Sequence, residues 1–130
     1  MYQATTHDIS VSVTPIFLDE ESKPEDHHYV WAYQIAIENR RESTVQLLNR
    51  YWCITDKMGI TQEVRGKGVV GEQPVIHPGD TYNYTSGVPL ATPSGIMAGR
   101  YTFQDENGDL LEVLVPTFSL DSPYENILLN

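Results

Sequence analysis

Val64-Arg65-Gly66-Lys67-Gly68-Val69-Val70-Gly71-Glu72-Gln73-Pro74-Val75-Ile76-His77-Pro78-Gly79-Asp80 is the stretch whose reading decides the fold. Gly66, Gly68 and Gly71 stand in the G-x-G-x-x-G spacing that lets a backbone approach a pyrophosphate. That chemistry also needs a strand before the glycines and a helix opening after them, so that free N–H groups face the phosphates. Here Gly71 is followed by Glu72-Gln73-Pro74, and Pro78 comes four residues later, both prolines being hostile to a helix interior. The glycines therefore read as a bulge or tight crossing between strands, where positive φ or close packing is required.

The chain on either side alternates with period 2, the signature of strands with one polar face. Ile9, Val11 and Val13 alternate with Ser10 and Ser12, and Trp31, Tyr33, Ile35 and Ile37 with Ala32, Gln34 and Ala36. Val45 to Thr55 is a further strand of open parity, because Leu48, Trp52 and Ile54 compete with Leu47, Tyr51 and Cys53 for the inward face. Asp56-Lys57-Met58-Gly59 and Pro78-Gly79-Asp80 supply turns, and Glu106-Asn107-Gly108-Asp109 is a hairpin signal between Tyr101/Phe103 and Leu110 to Val115. No segment sustains a 3.6-residue apolar period. Seven or eight short strands predict an all-β, immunoglobulin-like antiparallel sandwich, with residues 1–130 forming one domain. Its expected core is Ile9, Val11, Trp31, Tyr33, Ile35, Tyr101, Phe103, Leu111 and Val113. Gly99-Arg100-Tyr101 resembles the tyrosine corner of such folds. Asp19 to His28 reads as a linker, and the tail from Asp121 as poorly ordered.

Composition narrows the function classes. Eighteen acids against eight bases give a net charge of −10, and no basic cluster exceeds Arg40-Arg41. Phosphate backbones are held mainly by Lys and Arg, so nucleic-acid binding is disfavoured. No apolar run approaches a membrane span, and the first ten residues lack a basic region followed by an apolar core. Cys53 alone excludes an intramolecular disulfide and a multi-cysteine zinc site, which fits a cytoplasmic setting. It lies beside Trp52 and Ile54, where a cysteine is expected to be buried and inert. Ser86 and Ser94 lack the G-x-S-x-G elbow of a hydrolase. No catalytic residue and no cofactor is therefore assigned.

Two constellations remain as candidate sites. Arg65, Gly66, Lys67, Gly68, Val69, Val70, Gly71, Glu72 and Gln73 form a partner-binding loop, in which Val69-Val70 would be a small apolar centre with a polar rim. The rival account packs both valines under the sandwich edge. Asp19, Glu20, Glu21, Glu25, Asp26, His27 and His28 gather oxygen and imidazole ligands for a divalent cation, against a plain reading as a solvated acidic loop. Adjacent extended residues point opposite ways, which separates His27 from His28.

Several segments together resemble the ApaG family, and the likeness covers nearly the whole chain. They include Ala32-Tyr33-Gln34-Ile35, Arg50-Tyr51-Trp52-Cys53-Ile54-Thr55-Asp56, Val64 through Pro74, and Pro78-Gly79. They continue through Tyr84-Thr85-Ser86-Gly87, Gly95-Ile96-Met97-Ala98-Gly99-Arg100-Tyr101 and Val115-Pro116-Thr117-Phe118. Trp31 stands where members usually carry Phe, and Tyr51 where many carry His. The resemblance implies a fibronectin type III-like sandwich in the bacterial cytosol. It implies no catalytic residues. Related domains in F-box ubiquitin-ligase subunits and a DNA polymerase delta-interacting protein look like protein-interaction modules. The expected function is accordingly a non-catalytic module for a protein partner of unidentified kind, with homo-oligomerisation left open. Family naming also implies a link to cobalt and magnesium efflux, which makes a cation-responsive role the alternative, beside weak pyrophosphate binding at the glycines. Because Pro74 and Pro78 stand where a phosphate-binding helix would begin, calorimetric titration with NAD, ATP or diadenosine tetraphosphate is expected to give no saturable heat; a micromolar site abolished by Gly68→Val in folded protein would contradict this.

Overall fold

A computed structural model describes residues 1–125 as two antiparallel sheets facing each other. The first sheet has the order β1-β2-β3-β7, from β1 (Tyr2–Thr6), β2 (Ile9–Phe17), β3 (Tyr29–Asn39) and β7 (Thr81–Leu90). The second has the order β5-β4-β8-β9, from β4 (Val45–Asp56), β5 (Thr61–Lys67), β8 (Gly95–Asp105) and β9 (Leu110–Leu120). A two-residue strand, β6 (Val75–Ile76), also pairs with β4. The expected β-sandwich is present, with nine strands among the described residues rather than seven or eight. The additions are β6 and β1, whose five residues Tyr-Gln-Ala-Thr-Thr carry too little apolar character to announce a strand. No helix among these residues is long and apolar enough to cross a membrane.

Alternate residues of both sheets fill the space between them. Trp31, Tyr101, Phe103 and Phe118 are fully buried, beside Ile9, Val11, Val13 and Ile35. Leu111, expected inside, is partly buried against this core. Trp52 sits at its aromatic centre, with ring centroids 5.5 Å from Tyr33 and 6.2 Å from both Tyr101 and Phe118 in edge-on arrangements. It reaches that place because Gly99 is its cross-strand partner, where a Cβ would lie 2.5 Å from the indole. Tyr101 does not form a tyrosine corner. It lies within β8, and its hydroxyl pairs with that of Tyr84 on β7 instead of a backbone group.

The open parity of β4 has a structural answer. Leu47 pairs with Phe103 and Asn49 with Thr102, so Leu48 is an extra residue, a β-bulge. Val45 and Leu47 face inward before it, Trp52 and Ile54 after it. Each competing set is therefore right in part, one at Trp52 and Ile54 and the other at Leu47. Cys53 falls on the outward face and is half-buried, which corrects the expectation of a buried thiol.

Two segments expected to be loose are ordered. Asp19–Glu21 and Pro24–Asp26 are 3₁₀ turns, and Lys23 and His28 exchange backbone hydrogen bonds that close the loop. In the tail, the Trp31 indole donates to the Asp121 carbonyl at 2.7 Å, and Tyr124 packs edge-on against Phe17 and Tyr29. The part of that expectation falling on residues 126–130 lies outside the described residues.

The bulge yields a prediction. Leu48→Ala keeps the extra residue and should cost no more than about 2 kcal/mol, since the side chain is only half-buried. Deleting Leu48 turns Trp52 and Ile54 to solvent or breaks the pairing before them, and should abolish cooperative unfolding. A deletion variant with a normal denaturation transition would contradict the assigned register.

Candidate binding site: the glycine hairpin and its arginine

β5 and β6 pair with the same edge of β4 on opposite sides of the bulge, and the chain between them turns back on itself. Val69 and Glu72 exchange both backbone hydrogen bonds, at 2.8 and 2.9 Å, leaving Val70 and Gly71 as a two-residue turn. Both have positive φ, 44° and 82°, as in the type I′ turns that suit the twist of hairpins. Gly71 adopts this freely. Val70 is β-branched, and its backbone holds strain on the order of 1–3 kcal/mol. At 54% exposure it gains little burial in return, whereas Val69 is in the core. Gly68 is required by sterics, since a Cβ there would stand 1.9 Å from the Glu72 carbonyl oxygen. The G-x-G-x-x-G spelling is thus a hairpin followed by a turn and a strand, without the helix of a phosphate cradle.

The base of the hairpin is fixed from β4. The Leu48 carbonyl at the bulge accepts from the Gly68 N–H (2.8 Å) and the Gln73 side chain (3.0 Å). Two residues on, Arg50 shares the inward face of Trp52. Its Nη1 donates to the carbonyls of Lys67 (2.9 Å) and Gly68 (3.1 Å). Gly66 opposite makes room, because a Cβ there would come 2.8 Å from the guanidinium nitrogens. Among the described residues no carboxylate forms an ion pair with Arg50.

Around Arg50 the sandwich is open. Near β1 and β9 the sheets are tied by the Tyr2 hydroxyl accepting from the Ser119 N–H and Thr6 from Leu114. At the other side, the edges of β5 and β7 leave a cleft of about 240 Å³ lined by Trp52, Val64, Ser86 and Val88. It adjoins a smaller one of about 200 Å³ under the hairpin, where Arg50 meets Tyr33, Val70, Gly71, Tyr84 and Ser86. Burial pushes the Tyr33 hydroxyl up from its usual range, opposed in part by its hydrogen bond with Ser86 and by the Arg50 charge. Burial likewise pushes Tyr84 and Tyr101 well up.

The nine loop residues do not form one patch. Val70 and Gly71 line the small cleft, and Glu72 accepts from the Tyr82 hydroxyl at 2.9 Å. Arg65 and Lys67 lie on the outer face of the second sheet, around a groove with Tyr51 and Arg100. Arg50, Tyr51 and Arg100 had no site role in the sequence reading. Their signal was cross-strand register, which one sequence does not display. Asp19, Glu20, Glu21, Glu25, Asp26, His27 and His28 are exposed, and Asp19 accepts from the Tyr124 hydroxyl. Among the described residues no three His, Cys, Asp or Glu side chains converge on a point that could hold a metal ion.

Known proteins share this fold. The family model for the ApaG domain matches residues 19–105, which include the bulge, Arg50 and the whole hairpin. The chain belongs to the ApaG family. It is 58% identical over 130 residues to Protein ApaG of Paramagnetospirillum magneticum, covering all of both chains. It is 54% identical over 123 residues to Protein ApaG of Mesorhizobium japonicum, covering 95% of each. The crystal structure of a Bordetella pertussis protein described as ApaA superimposes with a TM-score of 0.87 at 46% identity, over 92% of this chain and 97% of that one. The likeness to these relatives thus extends beyond the residues of the family-model match.

The tyrosines give a test of this side of the sandwich. Tyr84 and Tyr101 have folded-state pKa values raised above the ordinary value near 10, so their contribution to stability is complete below about pH 10. As pH rises further the unfolded chain ionises first, and stability falls by up to about 1.4 kcal/mol per pH unit for each such group. Denaturation midpoints should hold to about pH 9 and then drop, with a shallower slope in Tyr101→Phe. A midpoint flat to about pH 11 would contradict the buried pair.

Proposed function

We propose that this protein is a non-catalytic binding module that holds a protein partner at the end of the sandwich where the glycine hairpin projects. The observation that carries the reading is Val70: a β-branched residue at φ 44°, exposed, at the tip of a turn whose base is clamped by Arg50 and Leu48. Strain of this kind persists only where surrounding structure enforces it, and it clusters at sites of contact. An apolar tip of fixed direction beside an open cleft is a surface that gains by being covered. The cleft offers hydroxyls and one guanidinium, a set suited to recognition. Its tyrosines are driven further from ionisation by burial, which favours hydrogen bonding over acid–base work at neutral pH.

The two valines separate stability from binding. Val69→Ala should cost about 1–3 kcal/mol because Val69 is 1% exposed. Val70→Asp should hold or raise the thermal midpoint, since Asp-Gly also suits a type I′ turn, and abolish recovery of the specific partner that the intact protein captures. The reading is wrong if Val70→Asp captures that partner undiminished, or if turnover of some substrate is detected and tracks Arg50 and Tyr33.

A further inference from the structure

Three of the eight basic residues in this acidic chain surround one groove. Arg65, Lys67 and Arg100 line a depression of about 470 Å³ on the outer face of the second sheet, against Glu112 as its one acidic lining residue, while the Arg50 guanidinium is turned to the inner face. Its floor is Tyr51, whose ring lies 4.0 Å from the Arg100 guanidinium carbon and 4.8 Å from that of Arg65. Stacking on an aromatic face restrains long side chains in advance, so less entropy is lost when they engage a ligand. Two carboxylates partly neutralise the patch: Glu63 lies 3.0 Å from Arg65, and Glu112 lies 3.5 Å from Arg100. Both pairs are exposed, and exposed pairs contribute about 0–1 kcal/mol. Glu63 also accepts from the Tyr51 hydroxyl (3.0 Å) and Glu112 from Thr102 (2.8 Å), so a ligand carboxylate competes with both for the two arginines. Lys67, like Arg50, has no ion-pair partner among the described residues.

We propose that this groove receives a short acidic segment of the protein partner, in extended conformation across the outer face of β5 and β4. The inference rests on the binding-module reading and adds the chemistry of what is bound. Arg65 and Lys67, two residues apart, share the outer face of β5 and repeat at roughly 7 Å, the spacing of alternate side chains in an extended peptide. A second row of positive charge follows at Arg100, paired through Tyr51 to Arg65. Two or three carboxylates fill such a site. A long polyanion does not suit it, because beyond the groove a molecule of net charge −10 repels it.

Fluorescence anisotropy with the intact protein tests this, using a labelled peptide alternating Glu and Val and a counterpart with Gln for Glu. The Glu peptide should bind saturably, weaken as salt is raised, and exceed the Gln peptide by about tenfold or more. Arg65→Glu with Arg100→Glu should reduce its binding by at least about tenfold at an unchanged melting temperature. Lys23→Glu with Arg40→Glu, the same charge change away from the groove, should keep binding within about twofold. Absence of saturable binding, equal binding of both peptides, equal loss in the two double variants, or tighter binding of a single-stranded oligonucleotide of matching charge would overturn the proposal. Partner capture through Val70 is read separately, so the module reading survives a failure here.

Discussion

The extra residue at Leu48 is the constraint on which the rest of this molecule depends. A strand of period 2 cannot present Val45 and Leu47, then Trp52 and Ile54, to the same core without one inserted residue. The insertion turns Arg50 inward with Trp52, and an arginine facing a sandwich interior needs an outlet. It finds one through the gap left by Gly66, reaching the carbonyls of Lys67 and Gly68. The bulge carbonyl meanwhile holds Gly68 and Gln73. One irregularity in β4 thus ends the pairing with β5, starts the pairing with β6, and fixes the direction in which the chain between them projects.

How much of this was legible in the sequence follows from the same irregularity. Regular alternation at Ile9 to Val13 and Trp31 to Ile37 reported its inward face directly, because those strands keep one parity. β4 switches parity, so its two apolar sets looked like rivals. Pro74 and Pro78 were enough to separate the glycine spelling from a strand–helix phosphate loop, but not to show a two-residue turn. Val70 obscured it, since a valine is not the residue that announces a left-handed position. Arg50 was invisible as a site residue because its meaning lies in its cross-strand partner, Gly66. The acidic segment from Asp19 misled in another way. Its charges suggested solvent-swollen chain, while Ser22, bonded to Leu18 and Val30, and the Lys23–His28 pairing hold it in place.

The distribution of charge adds a second layer. Acidic side chains outnumber basic ones by 18 to eight. Arg65, Lys67 and Arg100 meet on the outer β4–β5–β8 face, next to the hairpin. On the proposed reading, an apolar tip and a cationic groove beside one edge strand give a composite surface, one part supplying desolvation and the other register and orientation.

On the binding-module reading, the strain at Val70 is maintained for recognition and not for folding. Val70→Asn tests it directly, because asparagine is at ease in the left-handed region and Asn-Gly is a favoured pair for a type I′ turn. Measured by denaturation and partner capture on the same sample, the variant should be more stable by about 1 kcal/mol and should lose the partner. A variant that gains stability and captures the partner as well as the natural protein, or one that is destabilised, would contradict it.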